Sequence, residues 1–109
     1  MATLIVQSLA GSSGAEITTQ AADVAGDEFA NDNGRVNFEV NNGSGSSVDV
    51  TIVTQATVDG LAVADRVISV GAGERFIINQ LGSGTYNDSK GDVQVTYSAV
   101  TSVTVAAWK

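Results

Sequence analysis

Two acidic clusters contain the side chains that commonly bind hard cations. One is Asn31-Asp32-Asn33-Gly34 and the other is Asp88-Ser89-Lys90-Gly91-Asp92. A calcium ion takes about six to eight oxygen ligands, which a sharply turning backbone can supply. Neither cluster continues into the calcium-loop pattern that closes with a glutamate, and Asn, Asp and Gly are also the preferred residues of tight turns. We therefore expect these clusters to be turns, with a weak cation site as the alternative.

Serine and lysine are the remaining candidates for covalent chemistry. Ser12, Ser44 and Ser46 lie next to glycines. A nucleophilic serine needs a base, and because the chain has no histidine only Lys90 or Lys109 could serve. Neither lysine belongs to a Ser-x-x-Lys arrangement. There is no cysteine for a disulfide or a thiolate metal site. The sequence thus predicts a protein that is not an enzyme and that has no cofactor, metal or catalytic residue.

The charge balance argues against a nucleic-acid ligand. Twelve acidic and five basic residues give a formal net charge of −7 in a chain of 109 residues. Nucleic-acid affinity depends largely on Lys and Arg contacts to phosphates. The N-terminal sequence MATLIVQSLAG lacks the basic start of a signal peptide, and no apolar run approaches the ~20 residues of a membrane-spanning helix. We expect a soluble single domain over residues 1–109 that binds neither nucleic acid nor membrane.

The strongest structural signal lies in residues 35–55. Apolar and polar residues alternate in both halves of this stretch, a period typical of half-buried strands. The apolar positions are Val36, Phe38, Val40, Val48, Val50 and Ile52. Asn42-Gly43 lies between the halves, and this dipeptide favours the left-handed conformations of a tight turn. The pattern predicts a β-hairpin.

Alternation predicts further strands on both sides of this segment. They cover residues 3–7, 65–70, 74–79, 92–97 and 103–107, with a short strand at 16–19. Gly71-Ala72-Gly73 joins two of them, which predicts a second hairpin. Residues 20–34 contain Gly26 and an Asn-Asp cluster that would interrupt a helix. This stretch is predicted to be a long loop with at most one helical turn, held by Val24 and Phe29.

The number and spacing of these segments indicate the fold class. About seven or eight strands separated by turn signals, without a helix of ordinary length, are typical of antiparallel all-β domains. We predict an all-β, single-domain antiparallel β-sandwich or small jelly roll of seven to eight strands. Residues 10–15 (AGSSGA) have the composition of a link, so residues 1–15 are a possible N-terminal arm. The first strand either pairs within its own domain or adds to a neighbouring subunit.

Both ends of the chain are candidates for contact with a partner. Burying the large ring of Trp108 is worth several kcal/mol at roughly 25 cal/mol per Å². This side chain therefore either caps the core of its own domain or anchors an interface. The first strand carries Leu4 and Val6 on one face and Ile5 on the other, which calls for cover on both sides. We predict that Leu4, Ile5, Val6 and Trp108 meet a partner protein.

Several turn and strand motifs carry a resemblance to a known group of proteins. They are GDEFANDNG (26–34), VDVTIVTQ (48–55), TVDGLAVADR (57–66), VGAGER (70–75), YND (86–88) and DVQVTYSAVTSVTV (92–105). Over residues 16–107 the chain resembles small all-β virion proteins of tailed bacteriophages. In size, acidity and strand content it is most similar to capsid decoration, or cement, proteins.

The resemblance implies a non-enzymatic role in the virion. The protein would be made in the host cytoplasm, bind the outer capsid surface between major capsid subunits and stabilise the head. Capsid symmetry then favours a homo-oligomer, a trimer first and a dimer second. A tail or head-fibre component would share these motifs. An adhesin or carbohydrate-binding β-sandwich module is the other alternative, with Tyr86 and Trp108 as flat rings for sugar stacking.

Overall fold

Strands dominate the computed structural model, which describes residues 1–9 and 14–109. These residues contain twelve strand segments and one helix of four residues, so the predicted all-β class is confirmed. The predicted count of seven to eight strands is not confirmed, because seven segments have four or more residues and five have two or three. Ser12 and most of the predicted link at 10–15 lie outside the described residues.

The strands form two larger sheets and one small one. In chain order the elements are β1 (Ala2–Leu4), β2 (Val6–Gln7), β3 (Gln20–Ala21), β4 (Asp27–Ala30), β5 (Asn37–Asn42), β6 (Val48–Ile52), β7 (Thr57–Val58), β8 (Leu61–Ala62), β9 (Arg66–Val70), β10 (Arg75–Ile78), α1 (Ser83–Tyr86), β11 (Asp92–Tyr97) and β12 (Val103–Trp108). The first sheet has the order β1-β4-β11-β6-β9. The second has the order β10-β5-β12-β2, with β3 also paired to β12, and β7 pairs only with β8. The β1–β4 and β2–β12 pairs are parallel, and the other pairs are antiparallel.

The core lies between the two five-stranded sheets. Phe29 of β4 and Phe38 of β5 stack across it, with ring centroids 5.3 Å apart and planes 14° from parallel. Buried side chains from both sheets form one hydrophobic cluster. The Cα radius of gyration is 13.9 Å, close to the roughly 13 Å expected for a compact chain of this length. The described residues therefore form a single compact domain.

The alternation in residues 35–55 predicted the buried faces correctly but not the strand pairing. Phe38 and Val40 of β5 are fully buried, as are Val50 and Ile52 of β6. However, β5 pairs with β10 and β12, whereas β6 pairs with β11 and β9. The predicted hairpin is wrong, because the two strands lie in different sheets and face each other across the core. A short loop can join two strands of one sheet or two strands of opposite sheets, so the local sequence pattern does not distinguish these two connections.

Asn42 holds the loop between β5 and β6 from the inside. It is 1% exposed, and its Nδ2 donates to the carbonyl oxygens of Ser46 at 2.7 Å and Val70 at 3.0 Å. Its Oδ1 accepts from the N–H of Ser44 at 3.0 Å and from the hydroxyl of the same serine at 2.6 Å. Neither Asn42 nor Gly43 has a positive φ, so the predicted left-handed turn is wrong. Side-chain hydrogen bonds shape this loop instead.

The predicted second hairpin is wrong for the same reason. β9 is at the end of the first sheet and β10 is at the end of the second, so residues 71–74 connect two sheets. β11 and β12 also lie in different sheets. Among the described strands, β7 and β8 are the one pair of consecutive segments that bond to each other. Asp59 and Gly60 join them with φ values of 51° and 76°, as a type I′ turn requires.

Residues 20–34, predicted to be a long loop, contain two strands. β3 pairs with β12, and β4 lies between β1 and β11 in the first sheet. Phe29 is fully buried as expected, but Val24 is 83% exposed and does not hold the segment. The short strand predicted at 16–19 does not form. β4 was missed because one of its two inward residues is Asp27, and a polar residue at a core position conceals the alternation.

Candidate functional site

The N-terminal segment is divided between the two sheets. β1 pairs in parallel with β4, and β2 pairs in parallel with β12. Ile5 lies between β1 and β2 and belongs to neither. The single strand predicted over residues 3–7 is therefore two strands, because the chain crosses from one sheet to the other at Ile5.

Residues 6–9 run beside the C-terminal end of β12. Gln7 is paired with Trp108. The backbone N–H of Lys109 donates to the carbonyl of Gln7, and that of Leu9 donates to the carbonyl of Lys109, each at 2.8 Å. Sequence reasoning considered the two ends separately and gave no signal that they meet. The structure places them side by side on one surface.

A cleft of about 280 Å³ lies beside this parallel pair. Its lining includes Ile5, Gln7, Thr18 and Gln20. The Gln7 side chain connects two of these lining residues. Its Nε2 donates to the carbonyl of Thr18 and its Oε1 accepts from the Thr18 N–H, both at 2.8 Å. Since this amide is engaged in both directions, the apolar side chain of Ile5 is the more available contact for a partner at this cleft.

The four residues predicted to meet a partner differ in the surface they offer. Leu4 is 3% exposed and belongs to the core, and Val6 is partly buried against it. Ile5 is 82% exposed. A partner can reach Ile5 without any rearrangement, whereas contact with Leu4 requires β1 to leave its sheet. The interface at Leu4, Ile5, Val6 and Trp108 stays a prediction.

Trp108 lies on the face of β12 that is opposite the core. Val105 and Ala107 are fully buried in the core cluster, and side chains alternate along a strand, so Trp108 points to the outside of the second sheet. It is partly buried there and is not among the residues packed against the core cluster. The ring therefore covers the outer face of the sheet.

Glu39 is a buried carboxylate on the same outer face. It is 3% exposed and accepts hydrogen bonds from Arg75 Nη2 at 2.5 Å and from Asn41 Nδ2 at 2.9 Å. The hydrogen bond from Arg75 lowers the pKa of Glu39, and burial opposes this effect. The indole N–H of Trp108 adds a smaller lowering of this pKa, although its buried nitrogen reaches no partner in hydrogen-bonding geometry in residues 1–9 and 14–109. The result is an ion pair with an aromatic ring beside it.

The acidic cluster at Asp88 is a turn closed by its own side chain. Asp88 Oδ1 accepts hydrogen bonds from the backbone N–H groups of Lys90 at 2.9 Å and Asp92 at 3.0 Å. Its Oδ2 accepts from Gln94 Nε2 at 2.9 Å, and this bond is the largest cause of the lowered pKa of Asp88. These contacts are the ones that an aspartate makes in a tight turn.

Glu28 brings a third carboxylate to this turn. One oxygen each of Glu28, Asp88 and Asp92 lies within 4.8 Å of the others. The ammonium group of Lys90 lies 3.2 Å from Glu28 Oε2 and 3.8 Å from Asp92 Oδ2, and the hydrogen bond to Glu28 raises the pKa of Lys90. A cation of the chain itself, Lys90, therefore pairs with two of these three carboxylates.

The acidic cluster at Asn31 is also occupied by internal contacts. Asn31 Nδ2 donates to the carbonyl of Leu81 and to Oδ1 of Asn87, both at 2.7 Å. Asp32 pairs with the ammonium group of Lys109 at 3.0 Å, and this bond lowers the pKa of Asp32. Asn31 thus connects two loops, and its amide is not free to bind a ligand.

Asp27 is a buried polar residue that sequence reasoning missed. It is fully buried, and its Oδ2 accepts hydrogen bonds from the Tyr97 hydroxyl at 2.6 Å and from the backbone N–H of Asp23 at 3.3 Å. Its Oδ1 is buried without a partner among the described residues. The available signal was the two-residue spacing of Asp27 and Phe29, which places both on the same face of a strand.

The aromatic side chains considered for sugar stacking differ in whether they pack against the core. Tyr86 packs against the core cluster, whereas Trp108 does not. Of these two rings, that of Trp108 lies on the outer face of the second sheet.

Comparison with known proteins gives no relative for this chain. No protein-family model matches it, and no curated protein or solved structure shows significant similarity. Separately, none of the helices in residues 1–9 and 14–109 has the length and apolar character needed to cross a membrane.

Proposed function

We propose that the protein is a non-enzymatic structural component of a bacteriophage virion. In its most specific form it is a capsid decoration, or cement, protein on the outer surface of the head, bound between major capsid subunits. The observation that carries this proposal is the exposed Ile5, which is 82% accessible at the junction of two terminal strands and beside a cleft. The sequence resemblance to small phage virion proteins supplies the biological setting.

The strand order supports a more specific fold, a small jelly roll. Eight strands carry the argument, and in chain order they are β3, β4, β5, β6, β9, β10, β11 and β12. Numbered one to eight in that order, they occur as 2-7-4-5 in the first sheet and 6-3-8-1 in the second. Apart from the fourth and fifth strands, which pair within the first sheet, chain neighbours lie in opposite sheets, as they do in jelly rolls, a fold that capsid and lectin domains share. β1 and β2 then extend one edge of each sheet.

Binding would stabilise the shell through buried surface. A protein that binds the assembled shell but not free subunits shifts the equilibrium toward assembly by mass action. Repeated copies on a symmetric particle multiply a modest contribution from each contact. The net charge of −7 suits the outer face of the capsid, away from the packaged DNA.

The test is binding to phage shells that lack this protein. We expect the wild-type chain to bind with a copy number related to that of the major capsid subunit. Ile5→Asp should weaken binding about tenfold or more, because a charge would be buried at the contact. Val24→Asp is the matched control, since Val24 is 83% exposed on another segment and its substitution should leave binding unchanged.

Different outcomes separate this proposal from its alternatives. A chain that is absent from purified particles refutes the virion role, and equal binding by wild type and Ile5→Asp refutes the contact at Ile5. A copy number that follows the tail or the fibres assigns the chain to those parts. Selective binding to a glycan array, without binding to shells, favours a carbohydrate-binding module. Ile5→Asp is a cleaner test than removal of residues 1–9, which would also take Leu4 out of the core.

A further inference from the structure

One side of the molecule has two unpaired strand edges. β9 is the outermost strand of the first sheet and β10 is the outermost strand of the second, and residues 71–74 join them. On the opposite side the outermost positions belong to β1 and to β2 with β3. In residues 1–9 and 14–109, no backbone hydrogen bond reaches the outer edge of β9. This edge has groups that another strand can satisfy.

The alternation of hydrogen bonds identifies which groups of β9 point outward. The N–H of Val53, one residue beyond β6, donates to the carbonyl of Gln94, so the odd-numbered residues of this segment bond toward β11. The even-numbered residues of β6 then bond to residues 66, 68 and 70 of β9. The backbone N–H and C=O groups of Val67 and Ser69 therefore point away from the sheet.

Few of the usual devices protect this edge from pairing. Edge strands are commonly blunted by lysine, proline or a bulge, and the chain has no proline. The one charged residue of β9 is Arg66 at its first position, where Nη1 donates to the carbonyl of Asn79 at 3.0 Å. Val67 is 58% exposed, and Ile68 is only partly buried against the core.

We propose that β9 pairs with β9 of a second copy of this chain, antiparallel about a two-fold axis at Ile68. Val67 then lies opposite Ser69 of the second copy, and each such pair exchanges both of its backbone hydrogen bonds. The two Ile68 side chains meet across the axis and cover each other. Arg66 lies opposite Val70, so no like charges face each other. The product is one continuous sheet with five strands from each copy.

A second copy fits this edge because β9 is complementary to itself. A two-fold contact requires one strand to place apolar groups together at its centre and to avoid like charges at its ends. β9 meets both conditions with Ile68 and Arg66. The net charge of −7 on each copy opposes association at long range, so the dimer strengthens as salt is added. The contact does not use Ile5, and it stands independently of the virion role.

The experiment is sedimentation velocity over a wide range of protein and salt concentrations. The wild-type chain should change from its mass of 11.1 kDa to twice that mass as concentration rises. Ser69→Pro removes an outward N–H that has no partner among the described residues, and Val67→Lys places a charge at the edge; each should weaken dimerisation about tenfold or more. Val58→Lys is the control, because Val58 is 63% exposed on the β7–β8 pair, which belongs to neither large sheet, and its substitution should leave dimerisation unchanged.

Amide hydrogen exchange supplies a second, independent measurement. The amides of Val67 and Ser69 should exchange rapidly in dilute solution and become protected as the dimer forms. A monomer at every concentration, a trimer, or a dimer in which these two amides stay unprotected would overturn the proposal. If Ser69→Pro fails to fold, Val67→Lys and the exchange of the wild-type amides still decide the question.

Discussion

The hydroxyl of Tyr97 donates a hydrogen bond of 2.6 Å to Oδ2 of Asp27, a carboxylate with no solvent exposure. Both residues lie on the core-facing sides of adjacent strands, β11 and β4. Burial, and then the bond to Asp27, raises the pKa of Tyr97, so its hydroxyl stays protonated and remains a donor. The other oxygen of Asp27 has no partner in the described part of the chain. This bond is therefore the main compensation for a carboxylate placed inside the domain.

Tyr97→Phe should destabilise the domain while keeping the ring in place. The substitution leaves Asp27 with one backbone donor, and removing the partner of a buried hydrogen-bond acceptor costs about 1–3 kcal/mol. Urea unfolding measures this change in the free energy of unfolding. Tyr86→Phe is the control, because Tyr86 packs against the core and its hydroxyl has no hydrogen bond among the described residues. Equal stability of the two variants would show that the Tyr97–Asp27 bond contributes nothing.

Asn42→Ala should lower stability by about 2–3 kcal/mol, because it leaves buried backbone carbonyls without a donor. Asn42→Asp should be at least as harmful at neutral pH. A carboxylate cannot donate to the carbonyls of Val70 and Gly71, which now accept from Asn42 Nδ2 at 3.0 and 3.2 Å. Chemical denaturation compares both variants with Asn79→Ala, whose side chain is exposed and should be dispensable. An Asn42→Asp variant as stable as wild type would contradict this account.

Arg75→Ala should lower the melting temperature more at neutral than at acidic pH. The bond from Arg75 lowers the pKa of Glu39 from its usual value near 4.5. A carboxyl group with a lowered pKa in the folded state adds stability above its unfolded pKa, and that stability is lost as pH falls through the folded pKa. The difference between wild type and variant should therefore shrink below about pH 4.5. Thermal unfolding over this range measures it.

Arg66→Ala is the control for that experiment. Its guanidinium donates to a backbone carbonyl and forms no ion pair in the described residues, so its effect should not vary over the same pH range. An Arg75→Ala effect that stays constant from neutral to acidic pH would mean that the ion pair with Glu39 is not what stabilises the folded state.

Gly26→Ala should destabilise the turn before β4. Gly26 has a φ of 95°, and a Cβ there would lie 2.6 Å from the carbonyl oxygen of Val95. The strained backbone and the clash together should cost roughly 2–3 kcal/mol. Gly45→Ala is the control, since no atom lies within 4 Å of its added Cβ, and we expect a change of no more than about 0.5 kcal/mol. Urea denaturation distinguishes the two, and a tolerated Gly26→Ala would show that the turn can relax.

Within the segments recognised as alternating strands, the sequence predicted which apolar residues are buried but not which strands pair. Val93 and Val95 are both fully buried, as their spacing predicted. Two such alternating strands can lie side by side in one sheet or opposite each other across a core, and the apolar period is the same in both cases. The choice depends on pairs far apart in sequence, such as Trp108 with Asn37. Alternation alone therefore could not exclude the two predicted hairpins, which the structure does not contain.

The sequence predicted only part of the candidate site, because local alternation indicates which residues are exposed but not which strands lie side by side. Ile5 was singled out because it lies opposite Leu4 in an alternating segment, and its exposure fits that pattern. Its position beside the C-terminal strand depends on the crossing of β1 and β2 into different sheets, which no local signal indicates. Asp27 was missed because an aspartate in a core position is rare unless a partner such as Tyr97 is present, and that partner lies far along the chain.

The position of β12 affects how the molecule can be made. β12 is the last of the described strands to be synthesised, yet it lies in the middle of the second sheet, where it bonds to β5 on one side and to β2 and β3 on the other. A nascent chain still attached to the ribosome before this strand emerges cannot join those partners. The earlier strands must then wait with their apolar faces uncovered, and the second sheet can be completed only after β12 has left the ribosome.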